Sequence, residues 1–213
     1  MSLVDTRHLI KQRDEFASEY DNFYMKTHPY FKDELTKIIE ALDLKKEEII
    51  FDAGCGTDLF SQHIAKKGKF LFGFDYSKES ANIFNSKGMK NARATIGDLT
   101  EPIKTNEKFD KAVSIQVIQH IPTEELRVKA LRNIKEVLKD NGILVCELQD
   151  WTAWNRRLRR LFSKIPKEER EKDFYIYRFS PDEFIELLKK VGFRNSKLFS
   201  KAKGGYFITI SRK

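Results

Sequence analysis

Three aspartates, Asp52, Asp75 and Asp98, each close a short apolar run, and the first is followed by Gly54-Cys55-Gly56-Thr57. Glycines at such a point let the backbone approach a ligand closely, and a helix starting behind them offers unpaired N–H groups. Asp75, at the end of the next run, can accept hydrogen bonds from both hydroxyls of a ribose. Asp98, within Gly97-Asp98-Leu99, can accept from an adenine amino group. Each feature alone has an ordinary reading: a strand-to-helix turn without ligand, a helix cap, a solvated loop charge. Three acids at successive strand ends of one sheet argue together for a ligand-binding rim, the place where open α/β sheets hold their ligands.

The same spacing narrows the ligand. A dinucleotide fingerprint, G-x-G-x-x-G, needs a small residue where Leu59 stands, and the turn has no lysine for a phosphate loop. A nucleoside without pyrophosphate fits better. His120, just ahead of Pro122, can act as a general base or touch a substrate, or it can simply shape the entry to a helix. The cysteines, Cys55 and Cys146, form no C-x-x-C pair and the histidines share no ligand spacing, so no metal centre is expected.

The elements that must position these residues follow from periodicity. Residues 5–20 and 30–43 read as two helices, joined by the aromatic segment Tyr20-Asp21-Asn22-Phe23-Tyr24. Apolar runs at 49–51, 70–74, 92–96, 112–115 and 143–147 then alternate with helical patterns near 58–67, 77–87 and 123–139. Strand and helix in alternation predict a parallel sheet wrapped by helices. Ser180 with Glu183 forms a capping box for a helix over 181–191 that stops at Gly192. Strands near 197–199 and 206–211, turning at Lys203-Gly204-Gly205, complete an antiparallel pair. One domain over 1–213 is expected, divided into a helical lid (1–45), a core (46–150), a substrate-side insert (151–179) and a final helix with strands (180–213).

Of 213 residues, 40% are hydrophobic and 17 are Phe, enough for a real core, and the 34% that are charged are mixed in sign, which excludes wholesale disorder. Lys and Arg number 40 against 32 Asp and Glu, a balance of +8 that favours polyanions and also suits a highly soluble surface. Within the insert, Trp151, Trp154, Arg156, Arg157, Arg159 and Arg160 suit phosphates and stacked bases. The alternative is an amphipathic helix with Leu158, Leu161 and Phe162 docked inward and the arginines in water. The start, MSLVDTRHLIKQRDEF, has no apolar leader core, and no run approaches the ~18 apolar residues that cross a bilayer, so no membrane association and a cytoplasmic location are expected.

Together these stretches resemble the class I S-adenosylmethionine-dependent methyltransferases of the type 11/12 kind. The resemblance rests on Phe51–Thr57, Gly73-Phe74-Asp75-Tyr76-Ser77, Gly97-Asp98, Phe109-Asp110, Val113–Ile121, Asp140-Asn141-Gly142, Phe179–Phe184 and Val191-Gly192-Phe193. It implies a Rossmann-like, doubly wound seven-stranded sheet with an antiparallel last strand under an N-terminal helical lid. It also implies roles. Gly54 and Gly56 would line the methionine part of S-adenosyl-L-methionine, and Asp52 would support the loop. Asp75 would hold the ribose, Tyr76 would flank adenine, and Asp98 and Leu99 would meet its edge. Ile115 and Gln116 would sit beside the methionine. Tyr20 resembles a lid tyrosine that approaches the cofactor carboxylate, or packs over the sheet edge. One departure is Asp58, where the family often has a third glycine; it is expected to bring a charge near the methionine end. The implied activity is methyl transfer to an O or N atom of a small-molecule acceptor. Ser114–Arg127 and Tyr175–Phe179 are similar to tRNA wobble-uridine methyltransferases, for which Arg156, Arg157, Arg159 and Arg160 would carry the tRNA. A non-catalytic cofactor-binding partner protein is the remaining alternative.

Overall fold

The computed structural model describes residues 6–153, 167–171 and 174–213. Helices α1 (Thr6–Thr27) and α2 (Phe31–Leu42) precede β1 (Ile49–Ala53), α3 (Ser61–Ala65), β2 (Phe70–Asp75), α4 (Lys78–Ser86), β3 (Ala92–Ile96) and β4 (Phe109–Ile115). A 3-10 turn at Ile118–His120 leads to α5 (Glu124–Val137) and β5 (Leu138–Gln149). The hairpin of β6 (Glu168–Glu171) and β7 (Phe174–Tyr177) comes next, then α6 (Pro181–Val191), β8 (Arg194–Ala202) and β9 (Tyr206–Arg212).

Seven strands form one sheet in the order β3-β2-β1-β4-β5-β9-β8. The first five run parallel; β9 pairs antiparallel with β5, and β8 with β9. This is the expected doubly wound sheet. The order reverses between β1 and β4, so the loops leaving those strands splay to opposite faces and open a crevice at their C-terminal ends. Neighbouring residues of β1 serve both faces: Ile50 packs in the layer with α2 and α4, Phe51 in the layer with α5 and α6, and both are fully buried. Burial on two sides is why these strands read as continuous apolar runs rather than alternating ones. Each fully buried Phe of that core, such as Phe51, Phe184 or Phe207, contributes about 1.5–3 kcal/mol.

Several boundaries differ from expectation. The aromatic segment 20–24 is not a joint: α1 runs through it to Thr27. Phe16, Tyr20 and Phe23 recur at helical spacing and meet edge-on, with ring centroids 6.2 and 5.3 Å from Phe16. The break comes at His28, the residue before Pro29, where the proline ring disfavours helical backbone. The helix expected over 58–67 shrinks to Ser61–Ala65, because Gly54, Gly56 and Asp58 all take positive φ (86°, 55° and 87°) and prolong the turn. Ser180 with Glu183 closes the expected reciprocal box on α6, and Ser77 and Thr123 also cap α4 and α5, accepting from Ser80 N and Leu126 N. The residues Trp154, Arg156, Arg157, Arg159 and Arg160 lie outside the described residues. Among the described residues no helix is long and apolar enough to cross a membrane.

Candidate functional site

The turn after β1 is strapped to the end of β2. Gly54 N donates to the Phe74 carbonyl at 2.7 Å, and Gly56 N donates to Asp75 Oδ2 at 2.9 Å. A Cβ on Gly54 would lie 2.2 Å from Val117 Cγ2, so only glycine lets the turn pass beneath the loop after β4. Asp75 Oδ1 accepts from Ser77 N at 2.9 Å. Burial pushes the Asp75 carboxyl up, against the Ser77 N–H, the Arg13 charge and the Gly56 N–H. Below it, Asp52 accepts the Ser61 hydroxyl at 2.6 Å; burial outweighs that bond and, with Asp75 nearby, lifts Asp52 to about 7.

Asp58 corrects an expectation. Its carboxylate is almost fully buried, does not line the cleft, and pairs with Lys87 at the C-terminal end of α4. Lys87 also donates to Asp21 Oδ2 at 3.0 Å and to the Thr57 carbonyl at 2.7 Å. The left-handed backbone at Asp58 aims the side chain away from the ligand space, so the extra charge braces the turn from behind.

Helix α1 roofs the crevice. Asp14 Oδ1 accepts from Ser77 Oγ at 2.6 Å and from Glu79 N at 3.0 Å, while Asp21 Oδ1 accepts from Thr57 Oγ1 at 2.5 Å. Between these tethers the Arg13 guanidinium lies 3.8 Å from the centre of the Tyr20 ring, and its Nη2 is 3.3 Å from where a Gly56 Cβ would sit. Sequence reasoning missed Arg13; its helical register with Phe16 and Tyr20 was the available signal. A cation above the glycine turn can meet an anionic ligand group.

On the far wall Gln116 takes left-handed backbone, φ 56°, which costs a non-glycine residue on the order of 1–3 kcal/mol and recurs where ligands are held. Its Nε2 donates to the Tyr24 hydroxyl at 2.7 Å, and that hydroxyl donates to Glu34 Oε2 at 3.0 Å. His120 Nδ1 stands 2.8 Å from the Tyr175 carbonyl; a carbonyl only accepts, so Nδ1 carries the proton and Nε2 is the basic nitrogen. Burial drives His120 down to about 4 and keeps it neutral. Tyr175, on β7, was also missed as a site residue; its hydroxyl accepts from Arg127, whose Nε donates to the Ile121 carbonyl at 2.8 Å. Asp98 Oδ1 accepts from Thr100 N and Oγ1, both at 2.8 Å, which shapes the loop after β3.

These elements enclose a cavity of about 620 Å³. Its wall brings together Tyr20, Asp52, Gly54, Gly56, Asp75, Tyr76, Asp98, Leu99, Ile115, Gln116 and His120, the positions to which the sequence assigned cofactor or catalytic roles, and adds Arg13, Phe16, Tyr24 and Tyr175. Among the described residues, no three His, Cys, Asp or Glu could jointly hold a metal ion.

A family model described as a methyltransferase domain matches residues 25–198. An uncharacterized protein of Methanocaldococcus jannaschii is 30% identical over 86% of this chain and 82% of its own. The probable tRNA methyltransferase 9B of Homo sapiens is 28% identical over 71% of this chain, which spans only 36% of that protein. Among solved structures, the DhpI–SAM–HEP complex superposes with a TM-score of 0.78 over 100% of both chains at 18% identity.

Proposed function

Because the chain belongs to the class I S-adenosylmethionine-dependent methyltransferases, we propose that the cleft under α1 binds S-adenosyl-L-methionine and serves methyl transfer to an O or N atom of a small-molecule acceptor. The observation that carries this reading is the convergence of the glycine turn, Asp75, the Asp98–Leu99 loop and Gln116 on one roofed cavity. The residues fit the cofactor. Asp75 faces the crevice as a ribose acceptor, Tyr76 and Leu99 offer apolar surface to a base, and the side-chain-free Gly54 and Gly56 leave room for the amino-acid end. Arg13 supplies a cation for its carboxylate.

When bound, the cofactor supplies an electrophilic methyl group on a sulfonium. The protein's part is placement: reacting atoms held ~3–3.5 Å apart and in line account for much of such a rate. Ile121, Pro122 and Leu126 line the cavity around His120 and exclude water. As the new bond to carbon forms, the acceptor loses a proton, and His120 Nε2 is the group that takes it. Tyr175 holds the ring in the tautomer that this step needs.

The size of the cavity supports a small acceptor, since ~300–1,000 Å³ houses one drug-sized ligand or a compact pair. The likeness to tRNA methyltransferase 9B and the +8 balance favour a second reading, transfer to a tRNA base. Incubating the protein with radiolabelled cofactor and cell extract, with and without ribonuclease, decides between them. Label in ribonuclease-resistant small molecules is expected. Label in RNA overturns the small-molecule acceptor, and cofactor binding without transfer to any fraction marks a non-catalytic partner protein.

A further inference from the structure

Behind the cleft wall runs a hydrogen-bond chain that methyl transfer leaves unused. Glu34 of α2, 1% exposed, accepts the Tyr24 hydroxyl, and the oxygen of that hydroxyl accepts from the Gln116 amide. Tyr24 and Gln116 line the cavity and Glu34 does not. A phenol has one proton to give. With Glu34 ionised, Tyr24 must donate to it, so Gln116 turns its NH₂ to Tyr24 and its carbonyl Oε1 to the cleft. With Glu34 protonated, the acid donates to Tyr24, Tyr24 donates to Gln116 Oε1, and the amide turns over, presenting NH₂ to the cleft instead.

We propose that Glu34 is a positioning residue: through Tyr24 it sets which end of the Gln116 amide faces the ligand, and so whether that wall accepts a hydrogen bond from an ammonium group or opposes it. The proposal rests on reading the cleft as the cofactor site. The ammonium is that of the cofactor's amino-acid end, because Val117, next in sequence, packs directly against Gly54 of the glycine turn.

The surroundings let Glu34 govern the relay. Burial lifts it to about 7, with the Tyr24 hydroxyl opposing and Asp33 adding to the rise. From β5, Glu147 is fully buried with neither carboxyl oxygen in a hydrogen bond of ordinary length among the described residues; burial and the charge of Glu34 raise it well above the ordinary carboxylate value, with the Gln116 amide beside it opposing, which favours its neutral form. From β9, Tyr206 is raised by burial and stays protonated. On α1, Tyr20 is likewise raised by burial, and His28, stacked 3.7 Å from the Tyr24 ring, is lowered by burial. On α2, Asp33 is occupied by Lys37 and the Lys203 N–H.

The test is calorimetry of S-adenosylhomocysteine, and of its analogue lacking the amino group, at about pH 6 and about pH 8. Wild type should bind S-adenosylhomocysteine about tenfold more tightly at the higher pH, and the deaminated analogue equally at both. Glu34→Gln and Tyr24→Phe should each erase the step, while Asp52→Asn, which removes another acid titrating in this range, should keep it. A step that survives both relay variants, a step shared by the deaminated analogue, or no step in the wild type overturns the proposal alone. No binding at either pH overturns the cofactor reading as well.

Discussion

Asp75 accepts the backbone N–H of Gly56 at 2.9 Å, so the acid at the end of β2 fastens the glycine turn as well as facing the crevice. Asp75→Ala is therefore expected to weaken S-adenosylhomocysteine binding by about 1–3 kcal/mol through the lost charged acceptor. Asp75→Asn keeps one oxygen for the turn and should fall between. Calorimetry that ranks Asn with Ala would show that charge alone matters.

Arg13 lies over the turn with Tyr20 stacked on it. Arg13→Ala should raise the dissociation constant of S-adenosylhomocysteine at least tenfold, the scale of one charged hydrogen bond at about 1.5–3 kcal/mol. Adenosine, which has no carboxylate, should bind the variant and wild type alike. Equal losses for both ligands would assign Arg13 to the roof's packing.

Lys87 neutralises buried Asp58. Lys87→Met leaves that carboxylate stranded and should cost about 1–3 kcal/mol in urea unfolding. Adding Asp58→Gly removes the stranded charge and places the residue type that tolerates φ 87° there. The double variant should recover most of the loss; additive losses would contradict the pairing.

Asp52 keeps its proton up to about pH 7 in the folded chain, against an ordinary value of 3.8. Unfolding between those values releases a proton, so this group makes stability fall as pH rises from about 4 to about 7 and level off above. Asp52→Asn should reduce the difference in melting temperature between about pH 5 and about pH 8. An unchanged difference would show that Asp52 ionises normally.

His120 is held neutral by burial, with a value of about 4. Methyl transfer should therefore stay flat from about pH 6 to about pH 8 with respect to this group and fall only as Nε2 protonates in stronger acid. His120→Gln should lower kcat by about 100-fold and leave S-adenosylhomocysteine affinity unchanged. An equal loss in affinity would make His120 a wall residue.

The sheet and its acidic rim were legible because strand ends, glycines and carboxylates are local signals, each read within a few residues. Asp58 was misread because its meaning depends on Lys87, which reaches it from just beyond the C-terminal end of α4. Arg13 and Tyr175 were missed as site residues because one arrives on the roof helix and the other on a hairpin; the helical register of Arg13 with Phe16 and Tyr20 was legible, but not that this face of the helix meets the glycine turn. The joint expected at Tyr20–Tyr24 was an avoidable error, since Phe16, Tyr20 and Phe23 already stood at helical spacing.

The roof hangs from the floor it covers. Asp14 holds Ser77 and Glu79, and Asp21 holds Thr57 and Lys87, so lifting α1 off a ligand beneath it means parting these bonds. Where release goes by way of α1, its rate follows how often the helix lifts, a matter of residence time more than of contact strength. The Asp21–Lys87 pair is about one-third exposed and open to screening, so added salt shortens the stay of spent cofactor while barely touching the buried contacts that define its fit.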